Sequence, residues 1–320
     1  MINLKGKKTV VTGGAGFIGS HLVDRLLSMG CSVVCVDNFS SGRRGFIGHN
    51  AENRRFTLIE GDILDRELID GAVRDAEVMF HLAANPDVKL GASDTYIHLE
   101  QNVIATYNVL EAMRKSKRCR TMAFTSTSTV YGEAAEIPTT EGYGPLLPIS
   151  LYGASKLSCE ALVSAYCDNY GMTSVLYRFA NVVGPRSTHG VIYDFVGKLN
   201  ANPQELTILG DGRQRKSYTY VDDVVDAIIF ALEKSECRVL PINVGSKDAL
   251  DVTALADMVC AEMGLSAVYK YTGGVDGGRG WKGDVKNMLL SIDALEKMGF
   301  VPAYDSAASI AATVRTLMTD

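Results

Sequence analysis

Through roughly its first half the chain alternates short apolar runs with stretches whose apolar positions recur at helical spacing. Residues 9–11 form the first run. The stretch after it places Ile18, Leu22, Leu26 and Met29 on one helical face, with Val23 and Leu27 beside them. A second run, Val33-Val34-Cys35-Val36, ends on Asp37. Further strands are expected at 56–60, 78–82, 122–126 and 173–178. A long helix is expected from a cap near Ser93 to about residue 117, with Ile97, Val103, Ile104, Tyr107, Val109, Leu110 and Met113 among its apolar positions and Asn102 in its middle. Strands alternating with helices predict βαβ units and an α/β fold. After residue 178 the alternation breaks: the spacing predicts a helix over 191–200, a strand over 206–209 and an apolar helix ending at Glu233. The remainder reads as a small α/β lobe with strands at 241–244 and 268–271, helices at 253–263 and 306–318, and a glycine-rich loop at 273–281.

The turn between the first strand and helix reads Gly13-Gly14-Ala15-Gly16-Phe17-Ile18-Gly19. Gly13 permits a sharp turn, Gly16 lets backbone approach a pyrophosphate, and Gly19 lets the helix pack close to the sheet. The helix N-terminus offers N–H groups and a positive dipole end to phosphate. Asp37, at the tip of the second strand, can accept hydrogen bonds from a ribose diol and repels a 2′-phosphate, which favours NAD over NADP; Arg43 and Arg44 lie beyond the strand tip. Asn38 to Gly42, with Ser41, form a turn-rich loop able to wrap the adenosine ribose. Asp62 can bond the adenine amino group and Ile63 can flank the ring; Asp62 and Asp65 are equally placed to cap a helix. Leu82, Ala83 and Ala84 follow a strand with small residues against which a cofactor can lie, and Asn102, if it faces the sheet, can order a loop beside it.

Ser126, Thr127, Ser128 and Thr129 bring hydroxyls to a strand's C-terminal end, where open α/β sheets bind ligands. Tyr152 and Lys156 open the next helix four residues apart and so share a face. A free phenol, with a pKa of about 10, is a poor base at neutral pH. A neighbouring ammonium and a positive nicotinamide both stabilise phenolate, which suits Tyr152 to act as acid and base toward a sugar or alcohol hydroxyl. Arg186, Arg213, Arg215 and Lys216 could neutralise a diphosphate or simply be a solvated turn.

A chain of 320 residues suffices for one large or two modest domains. The net charge of −5 points to neither nucleic acid nor a membrane surface. No apolar run approaches the ~20 residues of a membrane-spanning helix. The N-terminus leads directly into the first strand, so no signal peptide is expected. Seven scattered cysteines without Cys-x-x-Cys spacing suggest free buried thiols in a reducing cytoplasm, and the five histidines lack metal-ligand spacing.

Together these motifs resemble the extended short-chain dehydrogenase/reductase family, and within it the NAD-dependent nucleotide-sugar epimerase/dehydratase group. The matching pieces are residues 12–19, 37–38, 61–63, 81–84, 126–132, 152–156, 181–186 and 210–223. The resemblance implies a doubly wound, Rossmann-type parallel sheet binding NAD over residues 1–180, and a smaller C-terminal α/β lobe binding a UDP- or other NDP-sugar over 181–320, with chain segments able to cross between the two. It implies that Tyr152 is the base, that Lys156 binds the nicotinamide ribose and lowers the tyrosine pKa, and that Thr127 holds the substrate hydroxyl. Phe17, Ile18, Ser126 and Ala180 join the cofactor contacts, and Asn85, Asn181, Lys216 and Arg279 the substrate contacts. It implies a homodimer joined by a four-helix bundle, with the helices near 94–117 and 152–170 as candidates. Dehydratases of the group carry an Asp-Glu pair after the catalytic threonine, and UDP-glucuronate decarboxylases a Glu at the second place; this chain has Ser128-Thr129. That favours 4-epimerisation of a UDP-sugar, UDP-glucose/UDP-galactose foremost, over dehydration or decarboxylation, and over a non-catalytic NAD-binding role. Lys216 stands where the family often has arginine, Trp281-Lys282-Gly283-Asp284 replaces an Arg-Pro-Gly-Asp run, and Met288 matches a position that influences tolerance of C2 substituents.

Overall fold

The computed structural model describes residues 1–319. The chain runs β1 Lys8–Thr12, α1 Phe17–Ser28, β2 Ser32–Asp37, β3 Phe56–Glu60, α2 Arg66–Val73, β4 Val78–His81, α3 Ala105–Lys115, β5 Thr121–Thr127, α4 Leu151–Tyr170 and β6 Thr173–Phe179. It continues through β7 Asn181–Val183, α5 Val191–Ala201, β8 Glu205–Ile208, β9 Arg215–Lys216, β10 Tyr218–Tyr220, α6 Val221–Lys234, β11 Val239–Val244, β12 Leu250–Asp251, α7 Val252–Glu262, β13 Val268–Tyr271, β14 Asn287–Met288, α8 Asp293–Lys297 and α9 Ser306–Leu317.

The chain divides into two compact units. The first comprises Met1–Thr127, Leu151–Arg178 and Val225–Ile242, and the rest forms the second. The main sheet has the order β11-β6-β5-β4-β1-β2-β3. Parallel ladders join β1 to β2 and β4, β2 to β3, and β4 to β5. The order reverses between β1 and β4, the switch point at which doubly wound sheets bind nucleotides beyond their strand ends. Val10, Met79, Met122, Phe124 and Leu176 are buried in the sheet against Val109, Met113 and Val163. Strands covered on both faces must be apolar throughout, which is why they appear as unbroken apolar runs.

Two elements differ from the sequence expectation. The segment 241–244, expected in the C-terminal lobe, is part of β11 at the edge of the main sheet, beside β6. Its partner lies far back in the chain, and local pattern carries no information about such pairing. The single helix expected over 93–117 is also broken up. Asp94, not Ser93, caps its start by accepting from the backbone N–H groups of Tyr96 and Ile97 at 3.0 and 3.1 Å. The backbone then widens into π-helical turns over Leu99–Ile104 before regular α3 begins.

In the second unit short strands pair in small sheets: β10 with β7, β13 with β8, and β12 and β14 on either side of β9. Phe195, Leu199, Leu206, Tyr218, Leu255 and Ile310 belong to their own core. Asp251 and Asp305 cap α7 and α9 through Ala254 N–H and Ala308 N–H, at 2.8 and 2.7 Å.

All seven cysteines are free thiols, and only Cys237 is exposed. Among the described residues no helix is long and apolar enough to cross a membrane.

His81, at the end of β4, is wholly enclosed. Its Nδ1 and Nε2 pair with the Thr12 and Thr106 hydroxyls at 2.7 and 3.0 Å. Burial, aided by the Lys156 charge, pushes its pKa down to about 3. Between that value and an unfolded pKa near 6.5 the unfolded chain binds a proton that the folded chain refuses, so stability falls as pH falls. Urea unfolding at pH 7 and pH 5 should show a loss of about 2 kcal/mol from this group, absent in His81→Gln. An unchanged slope in that variant would assign the acid sensitivity elsewhere.

Candidate active site

The glycine turn folds as its spacing predicts. Gly13 has a φ of +70°, and a Cβ there would stand 2.7 Å from the Ala83 nitrogen. A Cβ on Gly19 would stand 2.1 Å from the Gly13 carbonyl oxygen, so α1 packs against the turn as only glycine allows. Helix α1 begins after Gly16 with no side-chain cap and no acid in its first turn. Its leading N–H groups and positive dipole end therefore suit an anion. The Asp37 carboxylate accepts from Ala15 N–H and Phe39 N–H, both at 2.8 Å, and so ties the turn to the loop after β2. A Cβ on Gly42 would stand 2.8 Å from Asp37 Oδ1, which explains glycine there. Ser41 is exposed beside it.

Asp65 caps α2 by accepting from Glu67 N–H and Leu68 N–H, whereas Asp62 accepts from Asn38 Nδ2 and Leu64 N–H, each at 2.8 Å. The capping role therefore falls to Asp65, and Asp62 joins the loops after β2 and β3. Ile63 is buried, while Gly13, Gly16, Phe17, Ile18, Leu82, Ala83 and Ala84 retain part of their surface. Arg44 is paired with Glu60 and its guanidinium lies 4.3 Å from the Phe39 ring centroid. These residues fit a dinucleotide: a cradle a Cβ would fill, an uncapped helix start, and an acid at the tip of the second strand.

Thr127 ends β5, and Tyr152 and Lys156 lie in the first turns of α4. Tyr152 shares a hydrogen bond with Thr127, which lowers its pKa, but burial dominates and pushes the phenol up to about 12. The sequence suggests that Lys156 lowers the tyrosine pKa; its ammonium donates to the Thr125 carbonyl at 2.8 Å and lies 4.9 Å from the Phe124 ring centroid. A buried ammonium must be hydrogen-bonded, and this carbonyl is its partner. Burial brings the Lys156 pKa down to about 8.

Asn102 does face inward. Its side-chain oxygen accepts from Asn85 N–H at 2.8 Å and its Nδ2 donates to Ser155 Oγ at 2.9 Å. Asn85 is held further by Gln101, at 3.1 Å. Ser126 is directed away from solvent, donating to Glu160 Oε1 at 2.5 Å, and Glu160 is clasped by Arg178. Sequence reasoning passed over Glu160, although it lies on the α4 face of Tyr152 and Lys156, one turn further on. It also passed over His98, four residues before Asn102.

In the second unit, Asn181 Nδ2 donates to the Ser217 carbonyl at 3.2 Å, and Ala180 N–H to the Val244 carbonyl at 2.9 Å. Lys216 pairs with buried Asp284 at 2.5 Å. Arg279 donates to Glu133 at 2.8 Å and to the Asp284 carbonyl at 3.0 Å. The basic cluster around 213–216 does not converge. Arg215 and Lys216 are successive residues of a strand, so they point to opposite faces, and Arg215 bonds the Ala249 carbonyl. The glycine-rich segment is a tight turn closed by a bridge between Val275 and Arg279.

The profile of the family described as the NAD dependent epimerase/dehydratase family matches residues 9–245. A protein of Methanocaldococcus jannaschii named putative UDP-glucose 4-epimerase is 33% identical over 302 residues, covering 92% of this chain and 93% of its own. A crystal structure of a UDP-galactose 4-epimerase superposes with a TM-score of 0.87 at 42% identity, covering 98% of this chain and 99% of its own. That of UDP-glucuronic acid 4-epimerase from Bacillus cereus, in complex with UDP-glucuronic acid and NAD, gives 0.88 at 30% identity over the same shares. Relatives named as a uronate decarboxylase and a 4,6-dehydratase match as well. The cofactor is NAD. The glycine turn, the Thr127–Tyr152–Lys156 cluster and these matches lead to one conclusion: the chain belongs to the NAD-dependent epimerase/dehydratase family of nucleotide-sugar enzymes.

Proposed function

We propose that the chain epimerises a UDP-sugar at C4, with UDP-glucose and UDP-galactose as the first pair. The observation that carries this reading is the hydrogen bond between Tyr152 and Thr127 at the end of β5, followed by Ser128 and Thr129 rather than by carboxylic acids. Dehydration and decarboxylation need a proton handled at C5 or C6, and neither hydroxyl has a carboxyl's acidity.

When bound, NAD supplies the acceptor of the C4 hydride and its return. Gly13, Gly16, Gly19 and the start of α1 hold the pyrophosphate, Asp37 the adenosine ribose, and Asp62 with Ile63 the adenine. Thr127 orients the sugar O4 hydroxyl, and Tyr152 takes its proton as the 4-keto sugar forms. After the sugar turns over, Tyr152 returns the proton to O4. Lys156 holds the nicotinamide ribose and, protonated, favours phenolate. Asn85, and in the second unit Asn181, Lys216 and Arg279, are the candidates for the nucleotide sugar. Lys216 and Arg279 are neutralised by Asp284 and Glu133, so anchoring a diphosphate there requires these carboxylates to yield. The reading includes a homodimer built on α3 and α4, where Tyr107, Leu151 and Tyr170 remain exposed on the single chain.

A proton NMR time course with UDP-galactose, UDP-glucuronate and UDP-N-acetylgalactosamine in separate tubes tests the proposal. The anomeric signal of the C4 epimer is expected, first with UDP-galactose. A 4-keto-6-deoxy product, or a pentose with loss of CO₂, would replace this reading by dehydration or decarboxylation.

A further inference from the structure

π-Helical turns are rare and recur where a helix must aim particular side chains. Here the turns over Leu99–Ile104 begin after His98 and contain Asn102, two inward-facing residues each 1% exposed. The His98 ring meets the Tyr152 ring edge to face, with centroids 5.7 Å apart and planes at 67°. His98 Nδ1 is 3.4 Å from Asn102 Nδ2, which also donates to Ser155 Oγ at 2.9 Å. Ser155 Oγ in turn donates to the Tyr152 carbonyl at 2.7 Å. The contacts form a closed circuit that holds Tyr152 by its ring on one side and by its backbone on the other.

Gly91 completes the arrangement. A Cβ there would stand 2.8 Å from His98 Cδ2 and 3.2 Å from Leu151 Cβ, so any side chain would displace the imidazole. Burial holds His98 below its ordinary pKa, against the opposing pull of Asp87 and Asp94. At neutral pH it is therefore an uncharged wall.

We propose that His98 is a positioning residue for Tyr152: its ring fixes the phenol in the orientation used for proton transfer, and Asn102 fixes that ring. The inference rests on Tyr152 being the acid–base group. A misplaced reacting group costs rate rather than affinity, because the substrate still binds.

The test uses the NAD-loaded protein and three variants. His98→Leu keeps bulk but removes the ring; it should lower kcat about tenfold with KM unchanged. His98→Phe restores the ring and should recover kcat to within about threefold. Gly91→Ala displaces the imidazole without removing it; it should reproduce the His98→Leu loss, and it stands in if that variant does not fold. With carbon-labelled tyrosine, the ring signal of Tyr152, identified by its loss in Tyr152→Phe, should be single in the parent and in His98→Phe. It should broaden or split in His98→Leu and Gly91→Ala. Wild-type kcat with an unaltered ring signal in His98→Leu and Gly91→Ala would overturn the proposal, as would equal losses in His98→Phe and His98→Leu. Tyr152→Phe separates the two levels: if it remains active, the acid–base reading fails first; if it is inactive while the His98 variants are normal, only the positioning role fails.

Discussion

Tyr152→Phe should lower kcat for C4 epimerisation by about 100- to 10,000-fold, the range for removing a general acid–base group, with little change in KM. Its phenol, pushed up to about 12 by burial, is an acid far too weak to be ionised at neutral pH on its own. The Thr127 hydrogen bond lowers that pKa, and positive charge brought close would lower it further toward a usable base. On the proposed reading Lys156, four residues on along α4, contributes that charge: its pKa of about 8 leaves it mostly protonated at pH 7 despite full enclosure. Lys156→Met should therefore shift the acidic limb of the kcat/KM profile toward higher pH by about one unit, because phenolate loses a stabilising charge. Near-normal turnover by Tyr152→Phe would remove this mechanism altogether. A Lys156→Met profile that is lower but unshifted would restrict the lysine to holding the ribose.

How far these features could be read from the sequence depends on the distance between the residues that make them. The glycine turn was legible because strand, glycines and Asp37 fall within one continuous stretch and each constrains the others. Tyr152 and Lys156 were legible because four residues make one helical turn. The π-helical turns were not: Ile97, Val103 and Ile104 fit a helical period whether or not a residue is inserted between them. The edge strand β11 was misassigned because membership of a sheet is set by pairing, here with β6, and not by local pattern. The diphosphate clamp is expected from positive charge and from the family resemblance. Its state depends on Asp284, 68 residues beyond Lys216, and on Glu133, 146 residues before Arg279. Long-range partners of this kind decide whether a basic residue is available, and nothing near Lys216 or Arg279 in the chain announces them.

The Glu160–Arg178 pair leads to the largest expected effect on stability. Both side chains are about 5% exposed. Arg178 reaches Glu160 with a fork, Nε to Oε1 at 3.0 Å and Nη2 to Oε2 at 2.7 Å, and Ser126 Oγ adds a third bond to the carboxylate. The pair joins α4, β5 and β6 at the residue before Thr127. Replacing one member leaves the other charge buried, at a cost of about 3–5 kcal/mol, which approaches the whole stability of many domains. The two single variants should differ. A lone buried carboxyl can discard its charge by taking up a proton, whereas a lone guanidinium cannot. Glu160→Met should therefore be the more damaging, and the loss in Arg178→Met should shrink as pH is lowered from 7 to 5. The double variant should recover most of the loss, since an apolar pair satisfies the same volume without desolvated charge. It should not recover activity to the same degree, because Ser126 then loses its acceptor and Thr127 the anchor beside it. Urea unfolding of the three variants at the two pH values, with turnover measured in parallel, separates these outcomes. Single variants each costing under about 1 kcal/mol would mean that water or another group compensates the charge.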